Sequence, residues 1–296
     1  MIEASGLTKR YGAQVAVQDL SFRCEPGTVT GFLGPNGAGK STTLRMICGL
    51  TVRTAGQATV LGTDYRRIAN PARHVGVMLD ASAQHSGRRG RETLRLCAET
   101  IGADPGLVDE VLTLVGLDRA AARRRVGKYS LGMRQRLGLA HVLIGDPEVL
   151  ILDEPANGLD PEGIIWMREL LRGFADRGGT VLLSSHLLNE VETLADQLLL
   201  ISQGRLVASG SKQELLAGNG TLVRSPEPEV LARALAAAGI EVAATDGGLI
   251  AEADPEVVGR AALAGGAPLS ELRPAEGAGL EQLFLSLTSA EQEQGS

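Results

Sequence analysis

Aromatic residues make up only 3% of the 296-residue chain, so Ala, Leu and Val must fill its core and each Tyr or Phe carries information. Cysteine is scarce as well: Cys24, Cys48 and Cys97 are odd in number, far apart and without a C-x-x-C pair. That pattern excludes a disulfide framework or a zinc site and predicts reduced thiols in a cytosolic protein. No run of about 18 apolar residues occurs, and Met1-Ile2-Glu3 is not a basic segment leading into an apolar one. A chain that neither crosses a membrane nor is exported is expected. Positive charge is also short, with a net −6, which argues against nucleic acid as a partner, since gripping a phosphate backbone needs a basic face. The length fits one large domain and a second small one.

What the chain does contain is Gly34-Pro35-Asn36-Gly37-Ala38-Gly39-Lys40-Ser41, which fits the phosphate-binding pattern G-x-x-x-x-G-K-[ST] at every fixed position. The apolar run Val29 to Leu33 precedes it, and Leu44, Ile47, Cys48 and Leu50 follow at helical spacing, so the loop joins a strand to a helix. Glycines let backbone N–H groups close round an anion, the helix start adds partial positive charge, and Lys40 supplies a full one. Ser41 places a hydroxyl for Mg²⁺, and Thr42 continues the cradle. A nucleoside triphosphate is the expected ligand.

The remaining chemistry sits at strand and helix ends. Val149 to Leu152 form an apolar strand closed by Asp153 and Glu154; Asp153 suits Mg²⁺, and Glu154 suits the general base that prepares water for attack on a γ-phosphate. His186, unlike His74, His85 and His141, follows directly on a strand, Thr180 to Leu183, where it can meet that phosphate. Ser130 is a natural N-cap for a helix carrying Met133, Leu137, Ala140 and Ile144, and with Gly132 it forms a second anion-competent helix start. Tyr11, in a polar setting, is either a platform for a base or an ordinary exposed tyrosine. The arginines from Arg88 to Arg95 and from Arg123 to Arg125 read as solvated surface. Residues 1–30 suggest antiparallel strands, and the alternation of strand and helix thereafter implies a mainly parallel sheet.

With these residues together, the chain resembles the ATP-binding subunit of ABC transporters over about residues 1–218, with a helical subdomain near 81–145. Gly34 to Ser41 is similar to Walker A, Val149 to Glu154 to Walker B, Asn157-Gly158-Leu159-Asp160 to the D-loop, His186 to the switch histidine and Tyr11 to the adenine-stacking aromatic. Tyr129-Ser130-Leu131-Gly132-Met133-Arg134-Gln135-Arg136 resembles the signature, with Leu131 where the commonest form has Gly, as in bacterial drug-export ATPases. The resemblance implies two ATP molecules and Mg²⁺ held between two copies head to tail, Ser130, Gly132 and Asp160 completing the opposing site. It also implies a membrane permease as partner and a cytoplasmic protein peripheral to the inner face of the membrane. One departure is Asp80, which follows the strand Val75 to Leu79 where the family has Gln; Gln84 lies four residues on, and Asp80 is a candidate Mg²⁺ ligand.

Residues 219–296 form an expected accessory domain. Pro228-Glu229-Val230, Arg233-Ala234, Ala237 and Gly239 recur 27 residues later as Pro255-Glu256-Val257, Arg260-Ala261, Ala264 and Gly266, which implies two strand-helix-strand units and a small α+β, ferredoxin-like arrangement. Leu280 to Thr288 resembles the terminal segment of drug-export and ABC-2-type ATPases, and Gln292 to Ser296 are expected to fray. The fold class is thus α/β, a P-loop NTPase core with antiparallel, helical and accessory parts. The function expected is ATP hydrolysis powering an exporter of the drug-resistance or ABC-2 type. The alternatives are a soluble ABC ATPase acting on nucleic acid or ribosomes, which usually has tandem cassettes or a coiled-coil insertion, and an ATP-binding regulator of low turnover.

Overall fold

The computed structural model describes residues 1–81, 83–187, 191, 193–245 and 248–276, and the chain divides into two compact units that meet in sequence between Ser211 and Lys212. The first unit begins with β1 (Ile2–Tyr11), β2 (Gln14–Cys24), β3 (Val29–Leu33), α1 (Lys40–Ile47), β4 (Ala55–Val60) and β5 (Val75–Met78). Four helices follow: α2 (Gly90–Ile101), α3 (Val108–Leu114), α4 (Arg119–Arg123) and α5 (Leu131–Leu143). It closes with β6 (Val149–Asp153), α6 (Pro161–Asp176), β7 (Thr180–Ser185), β8 (Gln197–Ser202) and β9 (Arg205–Ser211).

A six-stranded sheet in the order β5-β6-β7-β3-β8-β9 is parallel except at β9. Every residue of β3 and β7 is buried, as parallel strands covered on both faces require. An antiparallel sheet, β2-β1-β4, comes from the N-terminal part. The two apolar stretches near Val15 and Leu20 are one strand, β2, because Asp19 takes a positive φ of 50° and the register with β1 shifts around it, a bulge that bends a strand without ending it. One apolar cluster unites residues of both sheets with Leu44, Met46 and Ile47 of α1. Phe22 and Phe32 meet there at 5.8 Å between ring centroids, so these two of the few aromatics lie where the two sheets share a core. Leu50, expected on the apolar face of the helix after the loop, is exposed instead because α1 ends at Ile47.

The second unit runs β10 (Ala217–Arg224), α7 (Pro228–Ala237), β11 (Val242–Thr245), β12 (Gly248–Ala251), α8 (Pro255–Ala264) and β13 (Glu271–Glu276), and its four strands form one antiparallel sheet in the order β11-β12-β10-β13. With the chain order βαββαβ this is the ferredoxin-like arrangement. The repeated prolines each open a helix at its first turn, where the missing N–H has no helical partner to lose. Leu231 and Leu235 of α7 and their counterparts Val258 and Ala262 of α8 are buried in one cluster. Leu280 to Thr288 and Gln292 to Ser296 lie outside the described residues. Among the described residues no helix is long and apolar enough to cross a membrane.

Candidate nucleotide-binding site

The loop after β3 is shaped by what its glycines permit. Gly39 has a φ of 105°, and a Cβ there would come within 2.6 Å of the Ala16 carbonyl oxygen; at Gly34 it would lie 2.3 Å from that of Ile201. Larger residues would force the loop off β2 and β8. No side chain caps α1 and no acid stands in its first turn, so the first N–H groups of the helix stay open to an anion. The Lys40 amine, 6% exposed, donates to the carbonyls of Gly34 at 2.5 Å and Pro35 at 3.2 Å. Burial holds its pKa below the ordinary lysine value, opposed by the nearby carboxylates of Glu154 and Asp153.

The acids are placed by pairing of β6 with β7, which sets Asp153 beside Ser184. Ser184 Oγ donates to Asp153 Oδ1 at 2.5 Å and accepts from the Glu154 N–H at 3.0 Å. Glu154 itself has a positive φ of 49°, a turn that costs a non-glycine residue energy and carries its carboxylate off the strand axis. One Glu154 oxygen lies 2.7 Å from His186 Nδ1, the other 3.7 Å from Lys40 Nζ. Ser184 was not among the sequence candidates; the only signal in sequence was a hydroxyl residue closing an apolar strand two residues before His186, and the structure buries it fully.

Lys40, Ser41, Thr42, Pro35, Asn36 and Gly37 line one cleft of about 630 Å³ together with Gly39, Glu154 and Tyr11. Tyr11 is 52% exposed at this cleft, with Lys9 Nζ 4.7 Å from its ring centroid. Gln14, Val15, Ala16 and Gln203 complete the lining, none of which has a side chain that marks it in sequence. Gly34 and Ala38 are buried behind the loop. His186 reaches the cleft through its contact with Glu154.

The other candidates lie elsewhere in the unit. Ser130 caps α5, its Oγ accepting from the Met133 N–H at 3.2 Å, and Asp160 caps α6 by accepting from the Gly163 N–H at 2.9 Å. Ser130, Gly132 and Asp160 line a separate cleft of about 360 Å³, and Gln135 ties the two loops together by donating to the Asn157 carbonyl at 2.9 Å. Asp80 and Gln84 line a third, more apolar groove with Met78 and His141. Asp80 is absent from the lining of the cleft that holds Ser41: β5, which it follows, is the edge strand, with β6 and β7 between it and β3. Gln84 Nε2 donates to the Arg134 carbonyl at 3.4 Å, and its Oε1 is buried without a hydrogen bond among the described residues.

Residues 17–157 match the family model described as ABC transporter, and residues 219–281 match a domain of unknown function (DUF8746). The chain is 42% identical over 210 residues to the bacitracin transport ATP-binding protein BcrA of Bacillus licheniformis, an overlap of 70% of this chain and 68% of that protein. It is 40% identical over 221 residues to the Nod factor export ATP-binding protein I of Rhizobium etli, covering 73% and 69% respectively. A solved structure of an ATP-binding subunit of an ABC transporter superposes with a TM-score of 0.66 at 27% identity, covering 73% of this chain and 91% of that one.

Proposed function

The chain belongs to the ABC transporter family of ATP-binding proteins, and from that membership we propose that it is the ATP-hydrolysing subunit of an exporter of the drug-resistance or ABC-2 type. Its similarity to a bacitracin transport and a Nod factor export protein supports the transport reading. The hydrolytic role is carried by the contacts of Glu154, which lines the phosphate-loop cleft and lies 3.7 Å from Lys40 Nζ and 2.7 Å from His186 Nδ1.

ATP binds with its phosphates on the open N–H groups of α1 and the glycine loop, and its adenine stacks on Tyr11. Lys40 then turns from the Gly34 and Pro35 carbonyls to the outer phosphates. The Ser41 hydroxyl and the Asp153 carboxylate are the oxygen donors suited to Mg²⁺, an ion that takes few protein ligands and shares its shell with phosphate. When bound, it supplies charge neutralisation between the outer phosphates. Glu154 accepts the proton of the attacking water, and His186 holds the Glu154 carboxylate in place and contacts the γ-phosphate. Asp80 lines a different groove, and this set of donors does not call on it.

Ser130, Gly132 and Asp160 lie in a cleft of their own, so they serve the nucleotide only if a second copy turns that cleft toward the first copy's loop. The active form is therefore a head-to-tail dimer docked on a separate permease at the inner face of the membrane, with residues 1–218 as the ATP-binding domain and 219–296 as an accessory domain. Purification of the full chain from detergent-solubilised membranes tests the assignment. Recovery with a polytopic membrane protein and Mg²⁺-dependent ATPase activity support it; recovery with ribosomes or nucleic acid instead contradicts it.

A further inference from the structure

Two arginine-rich stretches that read as separate solvated surface are joined in space. Gly90 N–H donates to the Arg124 carbonyl at 3.2 Å and Val126 N–H to that of Arg88 at 2.8 Å, an antiparallel bridge that pairs Arg89 with Arg125. It draws Arg89, Arg91, Arg95, Arg119 and Arg123 round one open cleft of about 540 Å³.

Only two carboxylates share that lining, Glu92 and Asp109, and both are already engaged. Asp109 holds Arg91 through two bonds of 2.7 and 2.9 Å, which keep its carboxyl below the usual carboxylate range. Glu92 accepts from the Arg89 backbone N–H at the start of α2. Arg95 pairs with Glu99 outside the cleft at 2.8 Å. Arg89, Arg119 and Arg123 have no ion pair among the described residues, and all three are exposed. Gathering like charges works against folding, and in a chain of net charge −6 a local excess of guanidinium calls for an anion from outside.

We propose that this cleft binds a phosphate group, borne by an anionic membrane phospholipid or free in solution. Guanidinium forks match phosphate oxygens in pairs and bind them without needing a helix end. The volume exceeds that of a lone phosphate and leaves room for a headgroup. Arginines close to an anionic leaflet are attracted to it, each adding to membrane affinity. The cleft shares no residue with the phosphate-loop cleft, so it is distinct from the nucleotide site and can be tested without ATP.

The test uses the full chain without nucleotide, floated with vesicles of phosphatidylcholine alone or mixed with phosphatidylglycerol. In parallel, a thermal-shift titration with inorganic phosphate uses Lys40→Ala, which removes the loop lysine as a phosphate ligand. Binding to the mixed vesicles only, weakened about tenfold or more in the Arg119→Gln/Arg123→Gln chain, assigns the site to a lipid headgroup. A phosphate-dependent shift lost on adding the same two substitutions, without flotation, assigns it to free phosphate. The Arg233→Gln/Arg260→Gln chain removes equal charge elsewhere and should leave either signal unchanged; basal ATPase activity should survive in both pairs. Absence of both signals, or equal weakening by both pairs, overturns the proposal.

Discussion

His186 Nδ1 lies 2.7 Å from Glu154 Oε2, while the other oxygen of the same carboxylate faces Lys40 Nζ at 3.7 Å. A carboxylate held between a buried lysine amine and an imidazole is oriented from both sides. Glu154→Gln keeps the size of the side chain and removes its basicity. It is expected to lower kcat by about 10²- to 10⁴-fold with ATP affinity retained, read by steady-state hydrolysis beside equilibrium nucleotide binding. A variant that turns over at the parental rate would remove Glu154 from the chemistry.

Ser184 acts through its neighbours. Its hydroxyl both donates to Asp153 and accepts from the Glu154 N–H, so Ser184→Ala leaves a part-buried N–H without this partner and frees the Asp153 carboxylate to rotate. The expected cost is about 1–3 kcal/mol of stability, with kcat reduced about tenfold and KM for ATP nearly unchanged. A rise in KM with unchanged kcat would assign Ser184 to nucleotide binding instead.

These two residues also mark where reading the sequence stops. Gly34 to Ser41 and Asp153-Glu154 were legible because their spacing is local: loop, helix start and strand end follow one another along the chain. The second unit was legible for a similar reason, since equal spacing of Pro228 and Pro255 implies equal elements. Ser184 was not, because its role exists only once β6 and β7 pair and bring it level with Asp153. The meeting of Arg89 with Arg119 and Arg123 likewise rests on a backbone bridge between distant residues. Asp80 shows the converse, a residue suited by type to a metal and set by edge-strand position in another groove.

Acid sensitivity should trace in part to His141. Burial holds its imidazole below the ordinary pKa of 6.5, partly offset by donation of Nδ1–H to the Leu137 carbonyl at 2.8 Å. The unfolded chain therefore takes up this proton at higher pH than the folded one does. Stability from this residue is complete above pH 6.5, is lost as pH falls below it, and levels off once the folded imidazole protonates. Denaturant unfolding across that range should show a shallower acid-side slope for His141→Gln than for the parent chain; equal slopes would place the loss elsewhere.

In the proposed dimer the phosphate loop of one copy and the signature of another make a single site. Ser130→Asp keeps an N-cap that α5 can use and places negative charge where the opposing γ-phosphate should arrive, while Lys40→Ala disables the loop. Each variant alone should lack ATPase activity. Mixing them in equal amounts should restore about a quarter of the parental rate, because half of randomly paired dimers are mixed and each mixed dimer holds one intact site of two. No recovery on mixing, or full activity of Ser130→Asp by itself, would contradict the shared site.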